Sequence, residues 1–215
     1  NNPTAWTAAQ QQNFANWYSY YRTRNQLAKS AVGRAFSRLG GNVRVAAHHL
    51  NNTTATSPTR FTKTIGLMKA FSGTDRTNFF STLYNSPAAN STPLREALKR
   101  SGDYFGDTNT GSNSPYRDLP GTGGSPERSC RQNFNILLTD GYWNGTAGVT
   151  SNYDGNNYAL GDGVTTYTPR APYRDNTSAT LADNGFYYWA KDLRTGLTNN
   201  VPAHPSNIGP TSPYT

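Results

Sequence analysis

The chain has 215 residues, enough for one sizeable core and too few to require two domains, with 34% hydrophobic and 15% charged residues. Its polarity comes from Asn, Thr, Ser, Gly and Tyr rather than from Lys and Glu, which excludes a charged disordered tail and fits an ordered, loop-rich extracellular protein. The net charge of +8 favours anionic surroundings, yet the arginines are scattered and no basic run or nucleic-acid motif occurs, so no nucleic-acid partner is expected.

From Asn13 to Leu39 the apolar positions Phe14, Trp17, Tyr18, Tyr21, Ala28, Ala31, Val32, Ala35, Phe36 and Leu39 recur at helical spacing, and Gly40-Gly41 ends the pattern. One long amphipathic helix is expected, carrying Arg22, Arg24, Arg34 and Arg38, with its aromatic end in the core rather than serving as a sugar platform. Val43 to Leu50 reads as a strand and Phe61 to Leu67 as a short edge strand, separated by the turn-rich Asn51 to Pro58. Asp75 to Tyr84 predicts a helix capped by Thr74, and Pro93 opens another, with Thr92 as its N-cap and Leu94, Ala97, Leu98 and Phe105 inward.

Residues 106–129 are rich in Gly, Ser, Asn and Pro, a length of loop that acts either as a binding loop or as a mobile insert. Within it Asp107, Asn109, Gly111, Asn113 and Asp118 imitate the spacing of a Ca²⁺ loop. Ser112, however, stands where the sharp-turn glycine belongs, and Asp118 replaces the bidentate Glu. Asn133 to Leu138 is an apolar run that stops on Thr139-Asp140-Gly141, the pattern of a buried parallel strand, beyond whose carboxyl end such sheets bind ligands. Residues 145–172 are turn-rich again, with Asp154 to Asp162 a turn cluster, and Ser178 to Leu193 carries a last helical face through Ala182, Phe186, Trp189 and Leu193.

Helices alternating with strands indicate a doubly wound sheet, but two strands do not make one, and the chain reads as incomplete. Cys130 is the only cysteine, which excludes an internal disulfide and a Cys-based metal cluster. No signal peptide and no apolar stretch of membrane-spanning length occurs, as in a mature or excised soluble segment without a membrane span. Enzymatic chemistry finds no support, because no Gly-x-Ser-x-Gly elbow exists and His48 and His49 face opposite ways on a strand. Asp140 and Thr92 admit two readings. Each is explained alone by a turn and an N-cap; together, at one edge of a parallel sheet, a hydroxyl and a carboxylate suit a hard cation such as Mg²⁺.

Four ordered blocks carry a resemblance: Asn13 to Arg24, the Thr92 to Leu98 helix start, Cys130-Arg131-Gln132-Asn133-Phe134 running into Leu138 to Asn144, and Tyr173-Arg174-Asp175 leading to Thr180 to Asp183. From Asn13 to about Pro202 the chain resembles the amino-terminal von Willebrand factor type A-like domain of the PilC/PilY family of type IV pilus tip adhesins. The resemblance implies an α/β, Rossmann-like fold over residues 1–215, a single incomplete domain with loop inserts near 106–129 and 145–172. It also implies a metal-ion-dependent adhesion site in which Asp140 matches the third-loop aspartate and Thr92 the second-loop threonine, binding Mg²⁺ or another divalent cation. The first-loop Asp-x-Ser-x-Ser is expected upstream of Asn1, and the family's calcium-carrying propeller lies outside the chain. A secreted protein is implied, reaching the pilus tip or cell surface through the periplasm, with minor pilins and host or abiotic surface ligands as partners. A carbohydrate-binding module with Tyr142 and Trp143 as stacking platforms, or a purely structural scaffold, are the alternatives.

Overall fold

A computed structural model describes residues 5–51, 66–88, 91–106, 111–146 and 148–201, and in it the amino-terminal helical pattern is broken in two. Helix α1 spans Ala8–Tyr20 and helix α2 spans Arg24–Ser37. Each begins with a Thr-x-x-Gln capping box: the Gln10 amide donates to Thr7 Oγ1 at 3.3 Å and the Thr7 amide to Gln10 Oε1 at 2.9 Å, an arrangement that Thr23 and Gln26 repeat at 3.2 and 3.0 Å. Thr23 therefore starts a new helix inside the pattern that periodicity alone joins into one. No α1 residue is buried. Contrary to the expected core role, Phe14, Trp17 and Tyr18 are exposed and pack mainly on one another, with Trp6 edge-on to Phe14 at 5.2 Å.

The described residues divide into two compact units. The first takes the described residues up to Thr92 together with Leu138–Asn144, and the second those of Pro93–Leu137 and from Gly145 to Val201. In the first, α2 packs on helix α3, Gly73–Asn85, through phenylalanines: Phe36 stacks on Phe79 at 5.0 Å, and Phe71 lies edge-on to Phe79 at 5.2 Å. Phe71 is 2% exposed, and the Arg76 guanidinium lies over its ring while donating to the Ser37 carbonyl at 2.7 Å. Ser72 occupies the N-cap position of α3 without a side-chain cap bond, so Thr74 is inside the helix rather than capping it.

Strand β1 is Arg44–Val45, antiparallel to β2, Lys69–Ala70. The strand expected from Val43 to Leu50 is thus far shorter. Of the expected edge strand, residues 61–65 lie outside the described residues. His49 holds Nδ1 at 2.9 Å from the Asn51 carbonyl, a structural role.

The second unit is built on helix α4, Leu94–Phe105, against helix α5, Leu181–Ala190. Leu94, Ala97, Ser101 and Phe105 are buried at spacings of three and four along one face of α4; of the expected pattern Leu98 is only half-buried, and Ser101, which the pattern does not name, lies inside. Thr180 and Asp183 form the capping box of α5. The fully buried Asp183 also accepts the Tyr153 amide at 2.6 Å, while the neighbouring Asn184 accepts the Val149 amide at 3.0 Å. These two side chains tie the turn-rich 145–155 segment to α5. A hairpin of β3, Tyr158–Ala159, and β4, Thr166–Tyr167, packs Tyr158 and Tyr167 on Phe186, and Asp162 holds its turn by accepting the Val164 and Thr165 amides at 3.0 and 2.8 Å.

Both sheets are two-stranded and antiparallel, and no parallel sheet occurs among the described residues. The expected buried strand at 133–138 is a correction as well: the segment has no regular secondary structure, and Phe134 and Ile136 are 78% and 75% exposed. An apolar run becomes a strand only when neighbouring strands take its backbone donors and acceptors, and none does so among the described residues.

At the α4–α5 crossing, Gly102 lies against the Tyr188 ring, and a Cβ at this position would fall inside van der Waals contact with three ring carbons. Overpacking of this kind costs about 1–3 kcal/mol. Gly102→Ala is therefore expected to lower the urea midpoint of unfolding with its slope unchanged, despite the better helix propensity of Ala.

Candidate functional site

The residues singled out at the end of the apolar run lie on a protruding turn of the first unit. The Gly141 amide donates to Thr139 Oγ1 at 3.3 Å, and Gly141 adopts φ +130°, a conformation that suits glycine, so Thr139-Asp140-Gly141 is a hydroxyl-braced turn. Beyond it Tyr142 is 96% exposed and Trp143 44%.

Asn144 returns this turn to Thr92. Its Oδ1 accepts the Thr92 amide at 2.7 Å and its own amide donates to the Thr92 carbonyl at 3.1 Å. Thr92 is therefore not the N-cap of α4; that helix starts at Leu94 with Pro93 in the cap position and no side-chain cap bond. Proline at 93 has no amide to offer, and the preceding residue is driven to extended backbone, which leaves Thr92 open to this strand-like exchange. Thr92 and Asp140 thus belong to two segments that Asn144 holds together. The bridging role of Asn144 is what sequence reasoning misses, because its partner is 52 positions away.

The Asp140 carboxylate is taken by the Arg24 guanidinium, an ion pair between side chains 48% and 85% exposed. The hydrogen bond from Arg24 holds the Asp140 carboxyl below the usual aspartate range, with the Arg24 charge acting in the same direction. Arg24 sits at the first position of α2, put there by the Thr23 capping box, so the break in the helical pattern is what delivers a cation to Asp140.

A hard divalent cation takes six or more oxygen ligands, and the Thr92 and Asp140 segments supply one carboxylate, already ion-paired, and the hydroxyls of Thr92 and Thr139, the latter accepting the Gly141 amide. No group of three or more His, Cys, Asp or Glu side chains able to hold a metal occurs among the described residues. By themselves these residues do not fit a metal centre. In the loop read as a Ca²⁺ site, Asp107 and Asn109 lie outside the described residues, and the Asp118 carboxylate is engaged by Arg128, at 2.7 Å, and by Arg131. That loop is a charge-braced turn: Arg194 pairs with Glu127 at 3.1 Å and Arg117 bridges Glu127 in antiparallel register. Cys130 is an exposed free thiol.

The Arg24–Asp140 pair has a titration signature. The folded pKa of Asp140 is lowered, so the pair contributes stability above the ordinary aspartate pKa and loses it as pH falls through the lowered value. Carboxyl NMR is expected to show Asp140 titrating below a model aspartate, and Arg24→Gln to raise its midpoint toward the ordinary value.

No family model matches the chain, and no solved structure matches it. Among curated proteins it is similar to the type IV pilus biogenesis factor PilY1 of Pseudomonas aeruginosa strain PAK, with 40% identity over 211 residues that cover 96% of this chain and 18% of that protein. The PilY1 proteins of strains PAO1 and UCBPP-PA14 align at 39% and 37% identity over 95% and 90% of this chain. The chain thus spans 16–18% of the length of the curated relatives it matches.

Proposed function

We propose that this chain is a non-enzymatic module of type IV pilus biogenesis and surface adhesion, working outside the cell at the pilus tip or surface. The observation that carries the reading is the similarity, along nearly the whole chain, to segments of proteins named type IV pilus biogenesis factor PilY1. In this reading the chain is part of a von Willebrand factor type A-like α/β module, and its partners are minor pilins and a host or abiotic surface. The absence, among the described residues, of any helix long and apolar enough to cross a membrane is compatible with that role.

The adhesive edge in this reading is the turn carrying Asp140, Tyr142 and Trp143, braced to Thr92 by Asn144. A cation-bridged form of adhesion, through Mg²⁺ or another divalent ion, requires oxygen ligands beyond Thr92 and Asp140 and release of Asp140 from Arg24. A second reading is favoured by one observation: Tyr142 and Trp143 are exposed side by side, as ring-stacking recognition of a sugar requires.

Replacing the aligned segment of the P. aeruginosa PilY1 with this chain is expected to keep surface pili, whereas deleting the segment removes them; a piliated deletion strain would sink the proposal. In the replaced strain, Asp140→Ala is expected to leave pili intact and to abolish chelator-sensitive attachment. Attachment unchanged by Asp140→Ala but lost with Tyr142→Ala and Trp143→Ala would assign the edge to sugar stacking instead.

A further inference from the structure

Asn-Gly occurs twice in this chain, at Asn144-Gly145 and at Asn184-Gly185, and the fold treats the two pairs oppositely. A glycine after asparagine leaves its main-chain nitrogen sterically open to the asparagine side-chain carbon Cγ. Asn184 is fully buried within α5, where its Oδ1 accepts the Val149 amide at 3.0 Å and its Nδ2 donates to the Thr180 carbonyl at 2.8 Å. The Gly185 amide lies inside the same helix and is committed to its hydrogen-bond ladder. Asn144 and Gly145 are both exposed, and Gly145 adopts φ +87°. Among the described residues the Gly145 amide and Asn144 Nδ2 donate to no group, while Asn144 Oδ1 accepts the Thr92 amide at 2.7 Å. Nucleophile and leaving group are thus uncommitted, and a main-chain donor already points at the oxygen on which negative charge builds during an attack on Cγ.

We propose that Asn144 is a site of spontaneous deamidation that releases the Asp140 turn from Thr92. The Gly145 nitrogen gives its proton to hydroxide and attacks Asn144 Cγ, forming an N–Cγ bond. The adduct collapses by breaking the Cγ–Nδ2 bond, and Nδ2 takes a proton from water and leaves as ammonia. Water then opens the resulting succinimide ring at one of its two carbonyls. Opening at the former side-chain carbonyl gives aspartate, and opening at the main-chain carbonyl gives isoaspartate. The brace to Thr92 uses the Asn144 amide and Oδ1 at one fixed spacing. In isoaspartate the side-chain methylene enters the main chain and the free carboxylate sits directly on Cα, so that spacing is lost. This inference concerns the brace alone and is independent of the pilus assignment.

The test holds the whole chain in mildly alkaline buffer, with and without denaturing urea, and reads each asparagine by mass spectrometry of tryptic peptides. Deamidation exchanges NH2 for OH and adds mass, whereas isomerisation of the neighbouring Asp140-Gly141 pair does not. In the native chain Asn144 is expected to convert roughly tenfold or more faster than Asn184, and in urea the two are expected to convert at similar rates. The rate at Asn144 is expected to rise with pH, as removal of an amide proton requires. Hydrogen exchange at the Thr92 amide is expected to quicken several-fold as conversion proceeds, with helix content by circular dichroism unchanged. In Asn144→Gln, which cannot close the same ring, Thr92 exchange is expected to stay constant over the incubation. The proposal is overturned by conversion of native Asn144 no faster than that of Asn184, by a native rate more than roughly tenfold below the rate in urea, or by Thr92 exchange that ignores conversion.

Discussion

Two tyrosine rings lie on helix backbones that carry no Cβ, and each of the two compact units depends on one such contact. In the first, Tyr84 of α3 sits on Gly33 of α2; in the second, Tyr188 of α5 sits on Gly102 of α4 and donates its hydroxyl to Asp103 at 3.0 Å. Burial of the Tyr188 ring and the hydrogen bond to Asp103 both push its phenol upward, so it remains a neutral donor at any physiological pH. Such close approaches substitute for a deep aliphatic core. Among the described residues only Leu83 and Leu94 of the leucines are buried; Phe71 completes the first unit's core beside Phe36 and Phe79, and Ala97, Phe105, Tyr116 and Ala190 complete the second, with the half-buried Tyr153, Tyr158, Tyr167 and Phe186 packed around it.

Helices α3, α4 and α5 were legible because their apolar positions recur at helical spacing and their starts carry Asp, Pro or a Thr-x-x-Asp box. The division between α1 and α2 was also legible, but in Thr23 and Gln26 rather than in hydrophobicity. Periodicity ignores a capping box when the pattern resumes almost in phase. The run from Asn133 to Leu138 misled for a different reason. Its composition describes what a strand needs on its two faces, whereas strand formation depends on neighbours that lie anywhere in sequence.

The candidate site shows the same limit more sharply. Asp140 was legible as the end of an apolar run and Thr92 as the residue before a helix-opening proline. What joins them was not: Asn144 reaches back 52 positions and Arg24 forward 116. The Arg24 contact also alters the chemistry of the site. A carboxylate at a turn is a general oxygen ligand, but one paired with a guanidinium is electrically spoken for until something competes for it. Exposed pairs of this kind are weak, so exchange of the Arg24 partner for another costs little.

The exposed run from Gln132 to Thr139 has a consequence for the chain in concentrated solution. It holds eight residues without charge, proline or glycine, in which apolar Phe134, Ile136, Leu137 and Leu138 are mixed with Gln132, Asn133 and Asn135, a composition that can stack into cross-β fibrils when left unpaired. Arg131 and Asp140 bracket it, one charge at either end, in the position of gatekeepers that oppose such stacking. Acidification that neutralises Asp140 removes one of the two. Material stored at low pH therefore faces a self-assembly hazard that neutral buffer suppresses, and the Asp140 carboxylate protects the solubility of the segment that leads to it.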